Sequence, residues 1–175
     1  MQYIIGIVPP SAYGQRIVAF QRRWPGNQTP GVVEPHITVK AQGGLTPDLA
    51  WIQSVIAVCS AFPRFTVTVT EAEFFANAVV YLGIASLSIR VLHRRLVEAI
   101  MPPPESIARY FEWDHYVPHL TLGQVEGGMA PWDLRDMGRA AAEALGPFPT
   151  FEVIGVRIYQ EIDGRYEPLQ DVLLA

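Results

Sequence analysis

The sequence carries the pentapeptide Pro35-His-Ile-Thr-Val39 and, in its second half, the near copy Pro118-His-Leu-Thr-Leu122. Polar and apolar residues alternate in each copy, which is the pattern of a β-strand with two unlike faces. The histidine and threonine of each copy share one face, and the apolar residues share the other. One such pattern carries little information, but two copies in a chain with four histidines indicate an internal repeat.

The repeat extends beyond the two pentapeptides. A Gly-Gly pair follows each histidine, beginning seven residues later at Gly43 and eight residues later at Gly127. Each pair is followed by a proline at a position typical of a helix start, Pro47 in the first half and Pro131 in the second. Each half therefore contains a strand, a Gly-Gly turn and a Pro-initiated helix, which predicts two lobes related by an approximate twofold axis.

The other segments show strand and helix patterns. Apolar runs and period-two alternation predict strands at residues 3–8, 32–42, 65–70, 79–85, 118–125, 151–160 and 166–173. Helical spacing predicts helices over 13–24, after Thr46-Pro47-Asp48, after Ser86 or Ser88, and from Pro131. The predicted inward residues of the last three are Leu49, Ile52, Ile56 and Cys59; Ile89, Leu92, Leu96 and Ile100; and Leu134, Met137, Ala141 and Leu145. We predict one α+β domain over residues 1–175, in which two lobes with antiparallel sheets flank a central cleft and helices cover the outer faces.

The polar face of the repeat suits chemistry at a phosphodiester. If the lobes face each other, His36, Thr38, His119 and Thr121 converge on one point. A neutral histidine can act as general base and a protonated one as general acid, because the ordinary pKa of histidine is near 6.5. The threonine hydroxyls can donate to phosphate oxygens on which charge grows in the transition state. No metal or other cofactor is expected.

Two other interpretations of the repeat remain open. A duplicated fold can keep the pattern for packing alone. His115 and His119 have the i,i+4 spacing of metal ligands on a helix, although Pro118 and the strand pattern around it argue against that site.

Composition limits the partners. The chain has 13 Lys and Arg against 17 Asp and Glu, so an extended nucleic-acid surface is not expected, whereas a small nucleotide or an RNA end is. The N-terminus lacks a basic signal-peptide region, and no apolar run is long enough to span a bilayer. The single cysteine, Cys59, cannot form an internal disulfide. We expect a cytoplasmic monomer with no membrane partner.

The paired motifs His36-Ile-Thr38 and His119-Leu-Thr121, each preceded by proline, resemble those of the 2H phosphoesterase superfamily, the 2′-5′ RNA ligase-like group that includes RNA 2′,3′-cyclic phosphodiesterases. The element order and the Val156–Tyr159 segment extend the resemblance over nearly the whole chain. The resemblance implies two α/β lobes around a cleft that contains both motifs. It also implies that His36 and His119 are the acid–base pair and that the two threonines bind phosphate.

Three further residues are candidates for substrate binding. Lys40 continues the polar face of the first copy and is expected at the cleft rim, either as a substrate contact or as a solvated side chain. Arg157 and Tyr159 share a strand face, where they would suit phosphate binding and base stacking, or form an ordinary exposed face. Tyr81 is a weaker candidate of the same kind.

The connection over residues 102–114 is the best candidate for a mobile loop, and His115 and Tyr116 after it are expected to gate the cleft. His93 lies beside Arg94 and Arg95 on a predicted helix and is expected at the surface.

The leading functional prediction is hydrolysis of a 2′,3′-cyclic phosphate, or of a related small cyclic phosphodiester, to a monoester. Reversible 2′-5′ RNA ligation uses the same proton transfers and is the alternative within enzymes. A ligase is expected to have a basic surface that holds two RNA ends, which this composition does not show. A nucleotide- or RNA-end-binding module without turnover is the alternative outside enzymes.

Overall fold

The computed structural model describes residues 1–175 and contains eight strands and six helices. The strands are β1 (Tyr3–Ile7), β2 (Ile37–Lys40), β3 (Phe65–Phe75), β4 (Val79–Ala85), β5 (His119–Gln124), β6 (Thr150–Val153), β7 (Gly155–Ile162) and β8 (Arg165–Leu173). The helices are α1 (Ser11–Gln21), α2 (Thr29–Val32), α3 (Trp51–Ser60), α4 (Leu87–Ile100), α5 (Pro104–Arg109) and α6 (Pro131–Leu145). Short 3-10 turns lie at Trp113–His115 and Val125–Gly127.

The eight strands form one curled antiparallel sheet in the order β6-β3-β4-β5-β2-β1-β7-β8. The two repeat strands, β2 and β5, are adjacent at its centre and pair through Ile37 and Leu120. β5 is the inner strand of one four-stranded half, and β2 is the inner strand of the other. This arrangement confirms the predicted α+β class with two antiparallel halves. The two sheets expected from the sequence are halves of one continuous sheet.

The repeat includes the backbone geometry of both strands. A bulge at Val39 interrupts the register between β1 and β2, and a bulge at Leu122 interrupts that between β4 and β5. Each bulge lies three residues after the histidine of its copy. Because a bulge changes the face taken by the following side chain, Lys40 does not continue the open face of His36 and Thr38.

The four longer helices, α1, α3, α4 and α6, cover one face of the sheet. α1 packs with α6 against the half that contains β5, while α3 and α4 pack together against the half that contains β2. Ile37 and Leu120 lie on the covered face and are fully buried in one apolar core that includes helix residues of both halves. The opposite face of β2 and β5 carries the polar residues of the repeat. None of the helices has the length and apolar character that crossing a membrane requires.

Several predicted elements are confirmed. The strand over 79–85 has the predicted bounds, and the C-terminal hairpin turns at Asp163-Gly164. α6 begins at Pro131 and buries the four predicted residues, Leu134, Met137, Ala141 and Leu145. In α4, Ile89, Leu92 and Leu96 are buried as predicted, and Ile100 packs at the edge of the core.

The start of α3 was predicted wrongly. The Asp48 carboxylate accepts hydrogen bonds from the Thr46 hydroxyl and the Ala50 amide, which closes a turn ahead of the helix. The helix therefore begins at Trp51, and its buried face consists of Trp51, Val55 and Cys59, of which only Cys59 belongs to the predicted set. Of that set, Leu49, Ile52 and Ile56 are only partly buried.

Three segments differ from their predicted form. The strand expected over 32–42 is restricted to β2, because the chain before it forms the short helix α2. The strand expected over 151–160 is two strands, since β6 pairs with β3 whereas β7 pairs with β1, and the chain passes between them at Ile154. The connection over 102–114 contains α5 and a 3-10 turn.

Candidate active site

The two repeat histidines are anchored in the same way. Nδ1 of His36 lies 2.9 Å from the Glu34 carbonyl, and Nδ1 of His119 lies 2.7 Å from the Val117 carbonyl. A carbonyl only accepts, so Nδ1 of each ring donates, and Nε2 is the nitrogen left for chemistry. In both copies the accepting residue precedes the proline of the motif, whose ring restricts that residue to an extended conformation.

The structure brings the four predicted catalytic residues to one cavity. His36, Thr38, His119 and Thr121 all line a space of about 450 Å³ on the open face of the sheet. The Thr38 hydroxyl is 3.1 Å from Nε2 of His36, so the two polar groups of the first copy are in direct contact. The cavity has the size of a small-ligand site.

A second cavity of about 430 Å³ shares Thr38, His119 and Thr121 with the first. Its walls are largely apolar and include Phe75, Val79 and Val117, and Phe111 borders both cavities. The two cavities therefore form one site with a polar centre and an apolar extension.

Both histidines are half-buried and their pKa values lie below the ordinary value. Burial is the largest cause at His36, where the charge of His119 lowers the pKa further and Glu34 raises it through its carbonyl and its carboxylate. Burial also lowers the pKa of His119, which the Val117 carbonyl raises. Burial therefore favours the neutral form of both imidazoles in the free protein.

Aromatic rings surround His119. The ring centroids of Phe75 and Tyr81 lie 5.0 and 5.2 Å from that of His119, both edge-on, and the two aromatic rings stack on each other at 4.2 Å. Tyr81 is buried and donates its hydroxyl to Glu73. It serves as a wall for the imidazole, a different place from the exposed stacking face suggested by the sequence.

Arg157 and Tyr159 lie behind His36 and do not line the shared cavity. Arg157 donates to Asp171 through two nitrogens and to the Glu34 carboxylate through a third. Tyr159 is fully buried and donates its hydroxyl to the same Glu34 oxygen. The exposed face proposed for the pair is therefore wrong. Glu34 was missed because nothing in the local sequence marks a carboxylate whose partners are on a distant strand.

Lys40 lies in the wall of the second cavity but is completely buried, so the expected place at an open cleft rim is wrong. Its ammonium lies 2.8 Å from the Glu112 carboxylate and also donates to the carbonyls of Ala41 and Gly43. Glu112 in turn accepts from the Ala41 amide. The bulge at Val39 explains the difference, because it turns the lysine away from the histidine face.

His93 is buried, not exposed as predicted. Its Nδ1 donates to the Val39 carbonyl and its Nε2 accepts from the Trp113 amide, each at 2.8 Å. Its ring stacks on Tyr116 at 3.9 Å, and the Tyr116 hydroxyl donates to the Thr38 carbonyl. The neighbouring arginines suggested a solvated helix face, whereas the helix packs this position against β2.

Residues 102–116, which are expected to gate the cleft, are thus bound to His93 and Thr38 through Trp113 and Tyr116. Tyr116 is buried, while His115 is exposed and lines the apolar cavity. His115 lies in a 3-10 turn and His119 in a strand, so the two do not form a helical i,i+4 pair. No three His, Cys, Asp or Glu side chains are grouped closely enough to hold a metal ion.

Comparison with known proteins agrees with this fold. The family model described as the 2′-5′ RNA ligase superfamily matches residues 8–165. E. coli LigT complexed with 3′-AMP is 19% identical, with a TM-score of 0.64 and coverage of 99% of this chain and 97% of LigT. TT0787 of Thermus thermophilus is 16% identical, with a TM-score of 0.68 and coverage of 99% of this chain and 98% of TT0787. No curated protein matches the chain.

Proposed function

This chain belongs to the 2′-5′ RNA ligase superfamily of 2H phosphoesterases, and from that premise we propose that it is a metal-independent phosphodiesterase acting on 2′,3′-cyclic phosphates. Its substrates are cyclic phosphate ends of RNA or small cyclic nucleotides. Family membership supports an enzyme of the phosphoesterase or ligase type. The choice of cyclic phosphate hydrolysis is our inference from the site.

The observation that carries the proposal is the matched anchoring of the two imidazoles at one cavity. Each ring donates from Nδ1 to the carbonyl two residues before it, so each offers Nε2 as a proton acceptor or donor. His36 and His119 with their threonines supply one base, one acid and two hydroxyl donors. No further group is needed for in-line displacement at phosphorus.

The proposed reaction is balanced by these groups. One neutral imidazole takes a proton from water as the water oxygen bonds to phosphorus. The bond from phosphorus to one ribose oxygen breaks, and the other imidazole, in its protonated form, gives its proton to that oxygen. The Thr38 and Thr121 hydroxyls donate to the non-bridging oxygens, where negative charge increases. The product is a ribose phosphomonoester.

The imidazole that acts as the acid becomes protonated when the substrate binds. Burial holds the pKa values of both histidines below the ordinary value in the free protein. A bound phosphodiester places negative charge beside the rings, which favours the imidazolium form. Substrate binding therefore raises the pKa of the acid, whereas the base stays neutral until it accepts the proton from water.

The dimensions and charge of the site support a substrate no larger than a nucleotide or a nucleic-acid end. The cavity that contains both histidines has a volume of about 450 Å³, and its apolar extension suits a nucleobase. The formal net charge of −4 disfavours a long polyanion. E. coli LigT, which shares the fold, has been crystallised with 3′-AMP.

The test is a turnover assay in EDTA with 2′,3′-cyclic nucleotides, oligonucleotides ending in a cyclic phosphate, and 2′-5′-linked dinucleotides. We expect a monoester product from the cyclic substrates, and activity that survives chelation. Activity that is lost in EDTA and restored only by a divalent ion would contradict the mechanism. Cleavage and rejoining of the 2′-5′ linkage alone would identify a ligase, and saturable binding without product would identify a binding module.

The mutant series separates catalysis from scaffolding. His36→Ala and His119→Ala should each reduce kcat on the order of 10²–10⁴-fold. The double variant should lose far less than the product of the two, because residues that act as a unit are not additive. Thr38→Val or Thr121→Val should cost about 10²–10³-fold. Thr66→Val, at an exposed position of β3, is the matched control. A fully active double histidine variant would reduce the repeat to a structural feature.

A further inference from the structure

We propose that Glu34, Arg157 and Tyr159 form a positioning unit that fixes the orientation and charge environment of the His36 imidazole. The proposal rests on the proposed function, since it assigns these residues to the acid–base step of that reaction. The role of the three is positioning, because each acts through His36.

The unit is held by four hydrogen bonds, two to the Glu34 carboxylate and two from Arg157 to the Asp171 carboxylate. Oε1 of Glu34 accepts from Nη1 of Arg157 at 2.8 Å and from the Tyr159 hydroxyl at 2.9 Å. Arg157 is fixed in turn by Asp171, to which Nε and Nη2 donate at 2.6 and 2.8 Å. Such a bidentate pair sets the plane of the guanidinium as well as its position. The Glu34 side chain therefore has one defined place.

The position of Glu34 determines that of the imidazole. The carbonyl of the same residue accepts from Nδ1 of His36 at 2.9 Å. Pro35 lies between them and limits the backbone freedom through which the carbonyl and the histidine could move apart. The Tyr159 ring lies 5.6 Å from the imidazole, so the residue that binds the Glu34 carboxylate also packs beside His36. A shift of the carboxylate is thus transmitted to the ring by a short, stiff path.

The unit also sets the charge behind the ring. Of the charged groups in and around the unit, Glu34 acts on the ring, because it raises the pKa of His36 against the effects of burial and of His119. The groups that face His36 are Glu34, Thr38, Tyr159 and His119. The surroundings of His119 differ, because its Nδ1 acceptor is the carbonyl of Val117, an uncharged residue, and its ring lies against Phe75 and Tyr81. The nearby carboxylate of Glu73 accepts a hydrogen bond from the Tyr81 hydroxyl. The two imidazoles are therefore matched in anchoring but not in electrostatics.

Two substitutions separate the positional effect from the charge effect. Glu34→Gln keeps an oxygen that can accept from Arg157 and Tyr159 but removes the negative charge. Arg157→Ala keeps the negative charge of Glu34 but removes the guanidinium that anchors it. Tyr159→Phe removes one hydrogen bond and keeps the ring. Tyr13→Phe is the matched control, because the Tyr13 hydroxyl is buried without a hydrogen-bond partner.

The primary measurement is an NMR titration of the histidine imidazoles, of which the chain has four. Glu34→Gln should lower the titration midpoint of His36, whereas Arg157→Ala should leave it at or above that of the wild type. The midpoint of His119 should change less than that of His36 in either variant. This readout requires no turnover, so it tests the unit even if the wild-type protein hydrolyses none of the substrates tried.

The kinetic measurement follows. Arg157→Ala should reduce kcat by about 10-fold or more with a smaller change in KM, since a misplacement near 1 Å can cost roughly 10²-fold in rate. Glu34→Gln should retain most of kcat at its own pH optimum, and Tyr159→Phe should fall between the wild type and Arg157→Ala. Tyr13→Phe should match the wild type. Unchanged His36 titration in both Glu34→Gln and Arg157→Ala, with thermal stability as the only property altered, would overturn the proposal.

Discussion

At the scale of single residues, the two copies of the motif place identical side chains in unlike surroundings. His36 lies in front of a charged network, and His119 lies within an aromatic wall. A protein that must hold one imidazole protonated and the other neutral at the same pH needs such a difference. The repeat supplies the two rings, and the residues around them make the rings unequal.

The pH dependence of kcat/KM follows from the lowered pKa values. This parameter reports the acid and the base of the free enzyme. Because burial lowers the pKa of both His36 and His119 from 6.5, the bell-shaped profile should have its maximum on the acidic side of that value. The profile of kcat should lie at higher pH, since the bound phosphodiester raises the pKa of the acid. A maximum of kcat/KM above about pH 8 would contradict the assignment.

Gly6 is predicted to be required for the position of His36. A Cβ atom at Gly6 would lie 3.0 Å from Cδ2 of His36 and 3.3 Å from its Cβ, so Gly6→Ala must displace the ring by a few tenths of an ångström. We expect kcat to fall several-fold while the fold is retained, as measured by steady-state kinetics beside circular dichroism. Gly31→Ala is the control, because nothing lies within 4 Å of a Cβ there. Equal activity in the two variants would show that the ring has room to move.

At the scale of elements, the segment that carries α5 and the following turn is fastened to β2 by buried polar groups. Lys40 binds Glu112, His93 binds the Trp113 amide, and Tyr116 binds the Thr38 carbonyl. The same segment supplies Phe111 to the apolar cavity. Its attachment therefore helps to shape the site.

Loss of Lys40 should affect stability before catalysis. Lys40→Met leaves the Glu112 carboxylate buried without its ion partner, and breaking a buried pair costs roughly 3–5 kcal/mol. We expect a corresponding drop in the free energy of unfolding in urea, which Lys40→Met combined with Glu112→Leu should partly restore. The control is Asp136→Asn, which breaks the exposed pair with Arg139 and should change the free energy of unfolding by less than about 0.5 kcal/mol. A Lys40→Met protein of wild-type stability would contradict the buried pairing.

His93 makes this attachment sensitive to acid. Burial, together with the charge of Lys40, lowers its pKa from 6.5 to about 4, although the Val39 carbonyl opposes the shift. The unfolded chain therefore binds a proton that the folded chain excludes, and stability falls as pH decreases from about 6.5 towards 4, by roughly 1.4 kcal/mol per unit. Protonated Nε2 also cannot accept from the Trp113 amide.

The test compares urea unfolding at about pH 6.5 and about pH 5 for the wild type and His93→Gln. The free energy of unfolding of the wild type should fall by roughly 1.5 kcal/mol more than that of the variant over this interval. The reason is that only the wild type has a group at this position that binds a proton on unfolding. His36 and His119 contribute equally to both proteins and cancel in the comparison. Identical pH dependence in the two proteins would show that His93 titrates normally.

At the scale of the whole molecule, one core joins the two halves of the sheet. Ile37 and Leu120 pair across the central junction, and both are completely buried in the same apolar cluster. We therefore predict a single cooperative unfolding transition. Tryptophan fluorescence and far-ultraviolet circular dichroism should give coincident urea curves, because Trp51 belongs to the core of one half and Trp132 lies in the first turn of the helix over the other. Two separated transitions would show that the halves fold as independent domains.

The sequence by itself determined the repeat, the faces of its strands and the four polar residues that meet at the cavity. These features depend on strand alternation, turn residues and helix starts, which are properties of neighbouring residues. The inner face of α6 and the hairpin at Asp163-Gly164 are local in the same sense. Local patterns were sufficient to predict a residue's position wherever strand or helix periodicity determines which face of the element it lies on.

Only the tertiary structure decided which groups surround those four residues. Glu34 and Arg157 are 123 positions apart, Lys40 and Glu112 are 72 apart, and His93 lies 54 positions from the carbonyl that it binds. No local periodicity relates positions at such separations. The bulge at Val39 also depends on the register with β1, and it changes the face that Lys40 takes. The physical reason is that burial and charge pairing are set by where distant strands pack, which the short-range pattern does not encode.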